Sequence, residues 1–168
     1  MTATRFEPAV RAGNVFEDLG LDVPAAAFTA RIAVGSDGTS RGVPHVNNAE
    51  YVRWIDRLAE LATDQAGFTR ATMLESNRMW FVARHEIDYR GEAFDGDELH
   101  AATWLDSWTR TSVTRLTAIV EPGKPRAICL ATTRWAYVDL ESRRPTRIPR
   151  EMRDAFPAAS GSGAGGPC

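Results

Sequence analysis

From Ala49 to about Ala66 the chain repeats apolar residues at helical spacing: Tyr51, Ile55, Leu58 and Ala62, joined by Val52, Trp54 and Ala59. A helix apolar around so much of its circumference belongs inside a domain rather than on its surface. Gly67 stands where a glycine commonly ends a helix. The remainder of the chain reads differently. Arg78 to Arg90, Asp97 to Trp108, Thr111 to Glu121 and Arg126 to Leu140 carry aromatic and β-branched residues at strand spacing. Phe94-Asp95-Gly96-Asp97 and Pro122-Gly123-Lys124-Pro125 supply turns between them. Upstream, Phe28, Ala30, Ile32 and Val34 alternate with Thr29, Arg31 and Ala33, the pattern of a further strand. Pro145 and Pro149 bracket a last short strand, and Arg150 to Phe156 suits one or two helical turns. One strand, one long helix and four or five antiparallel strands pack most economically as a single α+β domain, the helix wrapped by one curled sheet.

With 168 residues, 43% of them hydrophobic, the chain has the material for one ordinary core. The domain is expected over 27–157. Residues 1–26 read as an N-terminal extension with a short helical turn around Val15 to Leu19, and 158–168 as a flexible Gly/Ser tail. A net charge of −2 without a basic run gives no reason to expect nucleic acid. Cys129 and Cys168 make no disulfide framework, and no Cys/His spacing suits zinc, so neither metal nor cofactor is expected. No apolar run reaches the roughly 20 residues of a membrane span, and no signal-type segment opens the chain. The expectation is a cytoplasmic protein without a membrane partner.

Pro44-His45-Val46-Asn47-Asn48-Ala49-Glu50-Tyr51 leads directly into the helix. Backbone N–H groups at a helix start lack intrahelical partners and favour negative charge, so such a terminus can hold a developing oxyanion. Asn47 or Asn48 equally suits a simple cap. His45 suits either a proton shuttle or a lock between loop and helix. Both pairs of roles stay open on the residues alone.

This order of elements with this motif resembles the hot-dog thioesterases, of the 4-hydroxybenzoyl-CoA thioesterase and acyl-ACP thioesterase type. The family motif, Gly-His-Val-Asn-Asn-Ala-x-Tyr, stands here from Pro44 to Tyr51. Glu86-Ile87-Asp88-Tyr89-Arg90 with Gly96-Asp97-Glu98-Leu99, then Ala131 to Trp135 and Asp139 to Pro149, are similar to later family segments. The resemblance implies cleavage of an acyl-CoA or acyl-carrier-protein thioester at sites shared by a homodimer or homotetramer. It places the carbonyl oxygen at the N–H near Asn48. Losing such a donor typically costs ~3–4 kcal/mol of transition-state stabilisation.

The chain departs from the family most seriously ahead of the motif. Relatives carry an aspartate four residues before the motif histidine, where this chain has Arg41. A guanidinium stays charged and cannot deprotonate water, although it can clamp an anion. Three carboxylates are candidates for the missing base. Glu86, ranked first, matches an acid of the acyl-ACP branch, with His45 and Asn47 assisting. Asp37 lies in the same glycine-rich loop. Asp56 is on the helix, ~12 Å beyond Asn48, and reaches a helix start only across a subunit interface. Each also has an ordinary role: a strand-surface charge, a turn residue, a partner of Arg53 or Arg57. Arg41 and Tyr51 are the expected substrate contacts. Trp80, Trp104, Trp108 and Trp135 are read as packing, and His85 and His100 as surface residues. Two other readings of the same fold are a cyclase or dehydratase of a carrier-bound polyketide, and a non-catalytic acyl-thioester binder.

Overall fold

The long helix, α1, runs Asn48–Gln65 and turns Tyr51, Trp54, Ile55, Leu58, Ala59 and Ala62 inward as one stripe. The structure is a computed structural model and describes residues 1–9, 15–40 and 42–156. Ala66 caps the helix C-terminus, and Gly67 follows at φ 87°, a left-handed conformation that glycine adopts without steric cost.

Seven strands form one antiparallel sheet around α1. They are β1 (Arg5–Pro8), β2 (Phe28–Ala33), β3 (Arg78–Tyr89), β4 (Glu98–Trp108), β5 (Ser112–Val120), β6 (Cys129–Asp139) and β7 (Arg144–Pro145). The order is β1-β2-β4-β5-β6-β3, with β7 against the end of β6. Register shifts at Val82/Arg84 and Leu105/Ser107 are bulges, which bend strands and let the sheet curl. Ile32, Leu99, Ala101, Ile119, Cys129 and Ala131 from four strands meet Ile55 and Leu58 in the main core. The expected architecture, one long helix wrapped by a curled antiparallel sheet, is the observed one.

Two corrections concern the ends. Residues 1–26 are more than an appendage. Strand β1 pairs with β2 from Arg5↔Ala33 to Pro8↔Ala30, and Phe6 sets its ring edge-on to Trp54 of α1. Farther along, a short 3-10 turn occupies Glu17–Leu19, and Phe16 and Val23 pack with Ala102, Ala118 and Val120 on the outer face of the sheet. The closing strand is Arg144–Pro145, ahead of the Pro145-to-Pro149 interval, and Thr146 extends its contact with β6 by donating to the Tyr137 carbonyl. The helical turns after Pro149 form as α3 (Arg150–Ala155). A further short helix, α2 (Arg70–Glu75), capped by Thr69, has no counterpart in the sequence reading. Among the described residues no helix is long and apolar enough to cross a membrane. The Gly/Ser tail, including Cys168, lies outside the described residues.

Candidate active site

The start of α1 shows Asn47 as the cap and leaves the amide beside it open. The Asn47 side chain accepts from the Ala49 N–H at 2.9 Å, and the Asn47 carbonyl accepts from the Glu50 N–H at 2.9 Å. Upstream, the Val46 N–H donates to Ala93 O and the Asn47 N–H to Gly38 O, both at 2.8 Å. Among the described residues only the Asn48 N–H of this run has no acceptor. Asn47, Asn48 and Ala49 are exposed, so the protein's own atoms do not plug this terminus.

Around that amide stand His45, Glu92 and Tyr89. The half-buried His45 ring donates through Nδ1 to Glu92 Oε1 at 2.9 Å, and its backbone forms an isolated pair with Phe94. Tyr89 Oη donates to the Asn48 carbonyl at 3.2 Å. Tyr51, expected to touch substrate, is instead a core residue. Its ring is 2% exposed, wedged between Trp54 and Tyr89, and burial pushes the phenol up to about 12. Arg41 lies outside the described residues.

The three candidate carboxylates separate cleanly. On β3, His85 reaches α1, Ile87 packs on the main core and Tyr89 meets the helix start. Alternation then sends Arg84, Glu86 and Asp88 to the opposite face of the sheet. Glu86 is exposed there and paired with Arg84, so within one protomer it cannot face the Asn48 amide. Asp37 accepts from the Thr4 N–H at 3.1 Å and the Thr4 hydroxyl at 2.9 Å, pinning the N-terminal strand. Asp56 faces a cavity. Burial raises its carboxyl above the ordinary value of 3.8, while His85, whose Nε2 lies 3.8 Å away, works in the other direction. His85 is not a free surface residue: its Nδ1 is 2.9 Å from Thr133 Oγ1, a hydroxyl fully buried in the sheet. His100 is likewise half-buried, and desolvation followed by the charge of Arg31 lowers its pKa.

That cavity, about 450 Å³, runs beside α1 from Arg53 to Asp64 and is lined on the sheet side by Trp80, Trp108 and Trp135. The three tryptophans therefore wall a ligand-sized space, within the range typical of small-molecule sites. Trp104 packs instead on the outer face of the sheet.

The thioesterase-like superfamily matches the chain over residues 43–156, which takes in the helix-start motif, the cavity and the closing strands. The chain belongs to the thioesterase-like superfamily. No curated protein matches it in sequence. Solved structures share its fold. A 1,4-dihydroxy-2-naphthoyl-CoA thioesterase from Synechocystis superposes with a TM-score of 0.71 at 15% identity, over 77% of this chain and 94% of that one. A Staphylococcus aureus protein solved in complex with CoA gives 0.71 at 12% identity, over 77% and 80%. An acyl-ACP thioesterase from Bacteroides thetaiotaomicron gives 0.69 at 17% identity, over 85% of this chain and 58% of that longer one.

For this member of the thioesterase-like superfamily, sequence reasoning missed Glu92, His85 and Arg115. Glu92 sits in a loop whose contact with His45 is non-local, so no spacing announces it. Arg115 did leave a signal. It occupies the inward position of β5 between Val113 and Thr117, where alternation calls for a core residue.

Proposed function

We propose that the chain is a cofactor-independent hydrolase of acyl thioesters on coenzyme A or acyl carrier protein, working as a homodimer or homotetramer with shared sites. The observation that carries this reading is the unpartnered Asn48 N–H at an open, capped helix start. Hydrolysis of a thioester builds negative charge on the carbonyl oxygen, and a fixed amide aimed at that oxygen stabilises it more than the ground state. Water attacks the carbonyl carbon and its proton passes to a carboxylate. The tetrahedral intermediate then collapses, the C–S bond breaks, and the proton returns to the departing sulfur as the acid is released.

Asp56 is the carboxylate best suited to that role. A raised pKa fits a general base better than an ordinary aspartate does. Its distance along the helix excludes the Asn48 of its own chain, so it serves the amide of a second copy. Strand β3 offers the means of association, being a twelve-residue edge paired on one side only, with Phe81, Val82 and Tyr89 exposed along it. Arg41 then guides the pantetheine arm. A second reading assigns the base to His45, held at 2.9 Å by Glu92 at the same end as Asn48.

Asn48→Pro tests the amide directly. Proline is tolerated at the first helical position, and Asn47 already has the extended conformation, φ −66° and ψ 141°, that a residue before proline prefers. The expected result, read by steady-state kinetics on CoA and carrier-protein thioesters, is a loss of ~10²–10³ in kcat with helix content unchanged by circular dichroism. Full activity in Asn48→Pro, or binding of thioesters by the wild type without any turnover, overturns the hydrolase mechanism. Asp56→Asn and Glu92→Gln assign the base according to which one removes activity.

A further inference from the structure

We infer that the cavity beside α1 receives an acyl chain ending in a carboxylate, and that Arg115, assisted by Trp135, binds that carboxylate. The inference rests on the thioesterase reading, whose acyl slot this cavity is. Arg115 is 6% exposed and lines the cavity. Its guanidinium carries five N–H donors. Among the described residues it makes one hydrogen bond, to Thr103 Oγ1 at 3.4 Å, and no ion pair. That hydroxyl is already engaged with Thr117 Oγ1 at 2.9 Å and with Leu116 O at 3.0 Å. Burial lowers the guanidinium pKa to about 10, so the charge persists at neutral pH. An uncompensated buried charge is among the most destabilising features a fold can keep, and calls for a counter-ion.

A second donor on the same wall is also unsatisfied. Among the described residues Trp135 Nε1 is buried without an acceptor. Trp135 lies two residues from Thr133, the register partner of Arg115, so both side chains rise from the same face of adjacent strands. Two orphan donors in an aromatic-walled space ask for a ligand with an apolar body and an acceptor at its end. A carboxylate supplies two coplanar oxygens that match the guanidinium fork. A monoanion also fits the charge. Of the three acids lining the cavity, Glu60 pairs with Arg57 and Asp56 faces His85, and among the described residues neither these nor Asp64 forms an ion pair with Arg115, which is left without a counter-ion. The substrate class is thus the monothioester of a dicarboxylic acid, and hydrolysis at the thioester end releases the free diacid.

The test compares adipoyl-CoA with hexanoyl-CoA, and suberoyl-CoA with octanoyl-CoA, on wild type, Arg115→Met and Trp135→Phe. Wild type is expected to favour the carboxyl-bearing member of a pair by roughly tenfold or more in kcat/KM. Arg115→Met abolishes that preference while leaving the neutral thioesters hydrolysed, and Trp135→Phe reduces it. Should Arg115→Met not fold, Arg115→Lys keeps the charge but loses the fork, and is expected to weaken the preference. Adipic acid binding, read by tryptophan fluorescence, is independent of turnover and disappears in Arg115→Met. Equal use of both members of each pair, unchanged by substitution at Arg115, overturns the subsite and leaves the hydrolase standing. Arg115-dependent binding of adipate without turnover of any thioester keeps the subsite and removes the hydrolase.

Discussion

At the scale of single residues, the chemistry turns on how each carboxylate is held. Asp56 is half-buried beside the cavity, and that desolvation leaves its carboxyl less acidic than usual although the facing His85 works in the other direction. A base of that kind works only when ionised. The expected pH profile of kcat/KM therefore rises through the elevated pKa of Asp56 to a plateau, and Asp56→Asn loses both the rise and the rate. Stability should run the other way. Unfolded, the residue ionises near its ordinary value of 3.8; folded, it keeps its proton to higher pH. Below both values it contributes nothing. As pH climbs from the unfolded to the folded pKa the native state loses stability, and the deficit persists above that window. Asp56→Asn should remove this decline, which urea midpoints measured across pH will show. A stability curve that rises through the same window contradicts a desolvated Asp56.

At the scale of elements, α1 was legible because its apolar stripe repeats through about three turns, and β4 to β6 because turn residues punctuate them. Strand β1 was not. It has four residues, ends at Pro8, and buries one ring, Phe6, which is too little to set a period. The helix-start motif was legible as a capped helix start, yet which carboxylate lies near it was not. Strand register decides that Glu86 turns outward while His85 turns inward, and register is a property of pairing between distant segments. Asp37 illustrates the same point, because its partner Thr4 is 33 residues away. Asp37→Ala should release the N-terminal strand without touching catalysis. The loss of those two hydrogen bonds is worth ~1 kcal/mol, which at this chain length lowers Tm by about 2–4 °C. Calorimetry beside a kinetic assay checks it, and a collapse of kcat with Tm unchanged would return Asp37 to the list of bases.

At the scale of the whole molecule, the amide and the acid of the proposed mechanism sit two helical turns apart on α1, and a rigid helix cannot fold them together. Asn48 and Asp56 are separated by ~12 Å along its axis. In the proposed dimer, a symmetric pair of chains brings the helix start of each to the acid of the other, making two identical sites. This arrangement has a consequence that a site within one chain lacks. An Asn48→Pro subunit retains Asp56, and an Asp56→Asn subunit retains the Asn48 amide, so a mixed dimer holds one complete site and one doubly damaged site. Random assortment of equal amounts makes half the dimers mixed, each with one of two sites working, and restores about a quarter of wild-type activity. Co-expression or refolding of the two inactive variants together, with the dimer confirmed by light scattering, reads this out. If the mixture forms dimers and stays inactive, the base belongs to the same chain as the amide. Mixing Asn48→Pro with Glu92→Gln cannot rescue a base held by His45 and Glu92 beside their own helix start, so the two pairings together decide which reading of the site holds.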